Sequence, residues 1–83
     1  MKDGLNIFSA SWCGPCKMLK ATLDSKEIPY TIVDVDEQSS LAASYNVRGV
    51  PTCIYVKDGV EKERFTGVAK ENITRAEELV KNL

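Results

Sequence analysis

Short apolar segments alternate with segments of helical periodicity along this chain of 83 residues, and that alternation limits the possible folds more than any other sequence feature. Apolar or β-branched runs predict four strands, and apolar residues three or four apart predict three helices. The predicted strands cover residues 4–9, 30–35, 53–56 and 61–66, and the predicted helices cover residues 13–25, 37–45 and 71–83. The order βαβαββα and the chain length predict a single α/β domain over residues 1–83.

The first helix has a clear start and one apolar face. Pro15 falls in its first turn, where the missing N–H costs nothing, and Cys16, Leu19 and Leu23 follow at spacings of three and four. This spacing predicts that the side chains of Cys16, Leu19 and Leu23 face the core.

Turn and cap signals divide the second half of the chain. Asp36 is a candidate N-cap for the second helix, whose inner face would carry Leu41 and Tyr45. Asp58-Gly59 predicts a tight hairpin, and Gly67 ends the strand that follows it. The last helix is amphipathic, with an apolar face of Ile73, Ala76, Val80 and Leu83 and water-facing side chains at Glu71, Glu77, Glu78 and Lys81.

The charge balance and the length of the apolar runs each exclude one class of function. The chain has 11 Lys and Arg against 12 Asp and Glu, for a net charge of -1, which excludes a strongly basic nucleic-acid binder. No apolar run approaches the roughly 18 residues of a membrane span, and the first residues do not resemble a secretory leader. We therefore expect a soluble, cytoplasmic monomer with no nucleic-acid partner and no membrane partner.

Two of the three cysteines stand three residues apart at the start of the first helix, in the segment Trp12-Cys13-Gly14-Pro15-Cys16-Lys17. That separation allows a reversible disulfide. A thiol at a helix N-terminus has a lowered pKa, because unpaired N–H groups and the helix dipole favour the thiolate. Cys13 is therefore the expected exposed nucleophile, and Cys16, one turn into the helix, is the expected shielded thiol that acts second.

Inert buried cysteines and half of a zinc site are the alternatives for this pair. Structural zinc takes four thiolate or imidazole ligands, whereas this chain offers three thiols and no histidine. A disulfide that closes a loop of only four residues stabilises a fold by about 2 kcal/mol, so a purely structural role is a poor explanation for this cysteine pair. The pair favours thiol–disulfide exchange with no metal. A binding module that shares a metal between chains, or stabilises a larger enzyme, stays open as a different class of function.

Three features occur in the order and at about the spacing seen in thioredoxins: the segment from Trp12 to Lys17, the segment Arg48-Gly49-Val50-Pro51-Thr52, and Gly67. The chain resembles a small thioredoxin over nearly its whole length. The resemblance implies a minimal thioredoxin fold with a four-stranded mixed sheet and three helices. This fold lacks the N-terminal strand and helix of full-length thioredoxin and is similar in size to glutaredoxin-like proteins.

The resemblance also implies a function, that of a protein-disulfide reductase in which Cys13 attacks and Cys16 resolves. Its targets would be protein disulfides such as those of ribonucleotide reductase, and a thioredoxin-reductase-like flavoenzyme would recycle it without a cofactor of its own. Pro51 would follow a cis peptide bond, whereas the residues alone also allow a trans proline at the start of a strand. The residues expected to bind the substrate are Trp12, Gly14, Pro15, Val50, Pro51 and Gly67.

The chain departs from the family at two positions that matter for proton transfer. Thioredoxins carry a buried Asp six residues before the first active-site Cys, and a Lys that pairs with it; these positions are Ile7 and Ile32 here. Cys16 would then lose its proton to water, to the leaving thiolate or to a nearby surface group. Glutaredoxins also lack that Asp, but their Cys-Pro-Tyr-Cys motif is absent, and Val68-Ala69 follows Gly67 in place of glutathione-binding residues. Glutathione-linked reduction is therefore the alternative.

Two further residues each allow two interpretations. Lys17 is a candidate for electrostatic support of the Cys13 thiolate, and an exposed Lys on a helix is equally an ordinary solvated charge. Cys53 lies in an apolar strand, where a small buried side chain is expected rather than a third redox thiol.

Overall fold

The computed structural model describes residues 1–81, in which a four-stranded sheet lies between helices on its two faces. The strands are β1 (Gly4–Ser9), β2 (Thr31–Asp34), β3 (Thr52–Lys57) and β4 (Val60–Thr66). The helices are α1 (Gly14–Ser25), α2 (Ser39–Ser44) and α3 (Lys70–Lys81). The predicted order βαβαββα is confirmed, and the predicted position of Leu83 lies outside the described residues.

The sheet has the strand order β2-β1-β3-β4 and mixes parallel and antiparallel pairs. β1 runs parallel to β2, with α1 as the crossover between them, whereas β3 is antiparallel to both β1 and β4. Because the parallel strands β1 and β2 end at the same edge, the segments that follow them meet there. The first of these segments carries Cys13 and Cys16, so that edge of the sheet is where the site is built.

Strand alternation distributes the core over both faces of the sheet. Leu5 and Ile7 of β1 point to one face and pack with α1 and α3, whereas Phe8 points to the other face and packs with α2. The first cluster includes Leu5, Ile7, Leu19, Leu23, Ile28, Cys53 and Ala76. The second includes Phe8, Val33, Ala42, Ile54 and Val56. The apolar face predicted for the first helix is confirmed, because Cys16, Leu19 and Leu23 are its buried residues.

The start of the second helix was predicted wrongly. α2 begins at Ser39, its N-cap residue is Gln38, and no side chain caps it. Asp36 does not cap it because the carboxylate of Asp34 already accepts hydrogen bonds from the backbone N–H groups of Asp36 and Glu37. Such side chain–backbone bonds compete with helix formation and hold the chain in a turn until Gln38.

The hairpin between β3 and β4 turns at Asp58 and Gly59, both with positive φ, as the Asp-Gly pair predicted. The carboxylate of Asp3 accepts hydrogen bonds from the backbone N–H groups of both turn residues, at 3.0 and 3.1 Å. These two bonds lower the pKa of Asp3 from its ordinary value of 3.8. The segment before β1 is thus tied to a turn more than fifty residues away along the chain.

We expect Asp3→Ala to lower the urea midpoint of unfolding in a pH-dependent way. A carboxyl whose folded pKa is lowered stabilises the fold above its unfolded pKa and loses that effect as the pH falls through the folded value. The midpoints of wild type and Asp3→Ala should therefore differ at neutral pH and converge below the ordinary pKa of 3.8. A difference between the midpoints of equal size at neutral and acid pH would show that the negative charge of Asp3 does not stabilise the fold.

Candidate active site

Cys13 and Cys16 are placed by the start of α1. Cys13 is the N-cap residue, in an extended backbone conformation, and its Sγ accepts a hydrogen bond from the backbone N–H of Cys16 at 3.2 Å. Pro15 lies in the first turn, as the sequence predicted. The two cysteines are joined as a disulfide with their Cα atoms 5.3 Å apart, so the site is in its oxidised form. The Sγ of Cys13 therefore stands where a helix N-terminus stabilises a thiolate.

The expectation that Cys13 is exposed was wrong. Cys13 is only 4% exposed and Cys16 is fully buried, so the residue predicted to be the nucleophile is covered in this form. The two cysteines form a small cluster with Ala10, and Val35 and Val50 pack against it. These contacts cover the Cys13 side chain in the oxidised form.

Pro51 follows a cis peptide bond, as the resemblance implied. The proline is buried, and its carbonyl accepts a hydrogen bond from the backbone N–H of Gly67 at 3.1 Å. Gly67 has a φ of 84°, a left-handed conformation that favours glycine. The structure thus brings Val50, Pro51 and Gly67 together, with Val50 packed against the cysteine cluster.

Trp12 is the largest exposed apolar side chain next to the disulfide, with 68% of its surface exposed. Its indole Nε1 donates a hydrogen bond to Oδ2 of Asp36 at 2.9 Å. The indole forms one wall of a shallow pocket of about 150 Å³. The other lining residues are Val35, Val47, Arg48, Gly49 and Val50.

Gly14, Pro15 and Lys17 complete the exposed surface around the disulfide. A Cβ added to Gly14 would meet no atom within 4 Å, so the fold does not require glycine there. A small residue at this position leaves the surface beside the sulfurs uncovered. The electrostatic role of Lys17 stays a prediction, as does the substrate-binding role of the residues named above.

The positions where thioredoxins carry their buried Asp and its Lys partner are neighbours in this sheet, and both are apolar. Ile7 is fully buried and pairs with Ile32 on one side and with Cys53 on the other. Ile32 is 38% exposed at the edge of the sheet. The Asp and Lys that thioredoxins carry at these two positions are therefore replaced by side chains that cannot ionise.

Asp34, Val35 and Asp36 also shape the site, and the sequence reasoning missed them. Asp36 was interpreted as a helix cap, but its carboxylate instead holds the indole of Trp12. One signal could have found it. Trp12 follows β1 and Asp36 follows β2, and parallel neighbours bring such residues to the same edge. Among residues 1–81, no group of three His, Cys, Asp or Glu side chains is placed to hold a metal ion.

Cys53 is a free, buried thiol whose burial raises its pKa to about 12. Only about one molecule in ten thousand would carry the thiolate at pH 8, and the thiolate is the reactive form. We expect alkylation of the reduced native protein to modify Cys13 first, and Cys53 only after urea unfolds the chain. Mass spectrometry of labelled peptides measures this, and prompt labelling of Cys53 in the native protein would contradict it.

A disulfide at a helix N-terminus, beside a cis-proline on a four-stranded mixed sheet, defines a protein of the thioredoxin-fold class with a dithiol site. The family model described as Thioredoxin matches residues 2–79. The chain belongs to the thioredoxin family. None of the helices in residues 1–81 has the length and apolar character to cross a membrane.

Individual relatives agree with this assignment. Thioredoxin H-type 1 of Nicotiana tabacum is 41% identical over 71 residues, which are 80% of this chain and 56% of the relative. A thioredoxin of Staphylococcus aureus is 42% identical, covering 92% of this chain and 78% of the relative. This chain therefore spans less than two thirds of the plant relative and most of the bacterial one.

Solved structures show the same fold. The thioredoxin of Fasciola hepatica superposes with a TM-score of 0.77 at 37% identity, covering 86% of this chain and 73% of that one. The thioredoxin of Nicotiana alata superposes with a TM-score of 0.76 at 33% identity, covering 86% of this chain and 66% of that one. The observed sheet and helices match a minimal thioredoxin fold.

Proposed function

We propose that this protein is a thiol–disulfide oxidoreductase that reduces protein disulfides by dithiol exchange. The observation that carries the proposal is the position of Cys13 at the N-cap of α1, joined to Cys16 and next to the cis bond before Pro51. Relatives that bear the name thioredoxin support the same activity.

The first step is attack by the Cys13 thiolate on one sulfur of a target disulfide. A bond forms between Cys13 Sγ and that sulfur, and the bond between the two target sulfurs breaks. The second target sulfur leaves as a thiolate and takes a proton from water. The N-terminal N–H groups of α1, one of which contacts Cys13 Sγ, favour the attacking thiolate because they stabilise negative charge.

The second step is attack by Cys16 on the sulfur of Cys13. Cys16 gives up its proton, forms the Cys13–Cys16 disulfide and releases the target's first sulfur as a thiolate, which is protonated in turn. The target gains two electrons and this protein loses two. With Ile7 at the position of the family's carboxylate, the leaving thiolate, water or a nearby surface group takes the proton of Cys16.

The target backbone would dock along the exposed surface that surrounds the disulfide. Gly14 and Pro15 are small and exposed, so they would not obstruct a target. The backbone around Val50 and Pro51 would pair with the target backbone, and the indole of Trp12 would contact its apolar side chains. Gly67 supports this segment through its backbone bond to Pro51. Lys17 would add a positive charge near the Cys13 thiolate.

The reaction needs an electron donor and protein targets. A thioredoxin-reductase-like flavoenzyme would return the disulfide to the dithiol, and protein disulfides such as those of ribonucleotide reductase are suitable targets. We place this reaction in the cytoplasm, where a reduced thiol pool persists, and assign it to a monomer.

Insulin reduction tests the proposal. With NADPH and a thioredoxin reductase as the electron source, the protein should reduce insulin disulfides in a catalytic manner. With glutathione and glutathione reductase instead, turnover should be low; the reverse preference would favour glutathione-linked reduction. Failure with both sources, or stoichiometric zinc in the purified protein, would favour a binding module instead.

A further inference from the structure

Asp34 ends β2 and organises the chain that follows it. It pairs with Ser9, the last residue of β1. Its Oδ1 accepts hydrogen bonds from the backbone N–H groups of Asp36 and Glu37, at 2.8 and 3.1 Å. Its backbone carbonyl accepts a third bond, from the N–H of Gln38 at 2.8 Å. One residue therefore determines the path of the turn between β2 and α2.

Asp36 is held at two points by this arrangement. Its backbone N–H is bonded to Asp34, and its Oδ2 accepts the hydrogen bond from Trp12 Nε1 at 2.9 Å. Because Trp12 is 68% exposed, packing restrains its ring little, and the hydrogen bond to Asp36 is the contact that orients the indole. The orientation of the indole therefore depends on where the turn places Asp36.

Val35 lies between the two aspartates and is part of the same arrangement. Its N–H donates to the carbonyl of Ser9 at 2.9 Å, which extends the pairing of β1 and β2 by one step. Its side chain packs against the cysteine cluster and lines the pocket that Trp12 walls. The turn that Asp34 holds thus supplies Val35, which lines the pocket, and Asp36, which holds the indole of Trp12.

We propose that Asp34 is a positioning residue for protein substrates, acting through the turn and Asp36 to hold Trp12 as one wall of the docking pocket. This role of Asp34 rests on the proposed function, because the pocket is where a target would dock. Asp34 has no direct contact with the sulfurs, so the chemistry of exchange with a small disulfide does not depend on it. The binding of a protein target that contacts Trp12 does depend on Asp34.

The test compares Asp34→Ala with Asp34→Asn. Asparagine keeps an oxygen acceptor for the two N–H groups, and alanine removes it. Losing a hydrogen bond of ordinary strength corresponds to about a fivefold effect on affinity, so Asp34→Ala should raise the KM for insulin about fivefold. Asp34→Asn should stay within about twofold of wild type. The rate of reduction of a small aromatic disulfide should not change in either variant.

Two companion variants sharpen this comparison. Asp36→Ala should reproduce the KM increase of Asp34→Ala, and the double variant should be no worse than either, because both act on one contact. Glu37→Ala is the matched control, since it removes a neighbouring carboxylate and leaves the N–H bonded to Asp34. Its KM should equal that of wild type. Should Asp34→Ala fail to fold, Asp36→Ala and Asp34→Asn still give the decisive comparison.

Fluorescence separates this inference from the proposed function. Trp12 is the only tryptophan, so its fluorescence anisotropy reports the motion of this ring directly. Anisotropy should fall in Asp34→Ala and Asp36→Ala and hold in Asp34→Asn and Glu37→Ala, whether or not wild type reduces insulin. Unchanged anisotropy and KM in Asp34→Ala would overturn the inference, as would an Asp34→Asn variant impaired as much as Asp34→Ala. If the wild-type protein failed to reduce insulin but the anisotropy changed as expected, only the proposed function would be rejected.

Discussion

Replacing Cys16 with serine should stop catalytic turnover and trap the target on Cys13 as a mixed disulfide. Resolution by Cys16 is intramolecular, between residues whose Cα atoms lie 5.3 Å apart in the oxidised form. Even an effective concentration of about 1 M, far below the values known for well-oriented groups, exceeds millimolar external thiol by about 1,000-fold. Turnover of insulin should therefore fall by about that factor, while the first attack by Cys13 proceeds.

Cys53→Ser is the matched control for this variant, since Cys53 is a cysteine outside the site. It should retain wild-type turnover per folded molecule. Mass spectrometry should detect a covalent adduct on Cys16→Ser and none on Cys13→Ser. Wild-type turnover by Cys16→Ser would reject the dithiol mechanism outright.

Placing an aspartate at Ile7 should destabilise this protein severely at neutral pH. Ile7 is fully buried between Ile32 and Cys53, and burial raises the pKa of a carboxyl by up to about 3–5 units. At about 1.4 kcal/mol per unit, the charged form costs roughly 4–7 kcal/mol. The whole stability of a domain of this length is about 4–12 kcal/mol, so Ile7→Asp should be largely unfolded near neutrality.

The pH dependence identifies the cause. A carboxyl whose folded pKa is raised keeps its proton in the folded state and loses it on unfolding, so stability falls as the pH rises above about 4. Urea unfolding of Ile7→Asp between about pH 4 and pH 8 measures this decline. Ile7→Asn has a similar shape and no charge, so its destabilisation should stay constant relative to wild type. Parallel behaviour of the two variants would mean that water or a partner reaches the carboxylate.

Local signals explain why much of the fold was predictable. Pro15 in a first turn, the spacing of Cys16, Leu19 and Leu23, and the Asp58-Gly59 turn each act over a few residues, and the structure confirms all of them. The cis bond before Pro51 came from the family resemblance, because the residues alone also allow a trans bond.

The parts that could not be predicted depend on contacts between distant segments. Asp36 matched a helix cap in sequence, but Asp34 holds the preceding turn and Trp12 takes the Asp36 carboxylate. The burial of Cys13 depends on Val35 and Val50, which reach it from two other segments. The bond from Asp3 to the β3–β4 turn likewise gives no local signal.

The decisive measurement is the pH dependence of alkylation of Cys13 and Cys16 in the reduced protein, followed residue by residue with mass spectrometry. The position of Cys13 at the N-terminus of α1 should give its thiol a titration midpoint below the value of about 8.5 for free cysteine. Cys13 should also be alkylated at least about 10-fold faster than Cys16 at neutral pH, in keeping with thiolate control of reactivity. A midpoint at or above the free-cysteine value, with both thiols modified at equal rates, would contradict the proposed exchange.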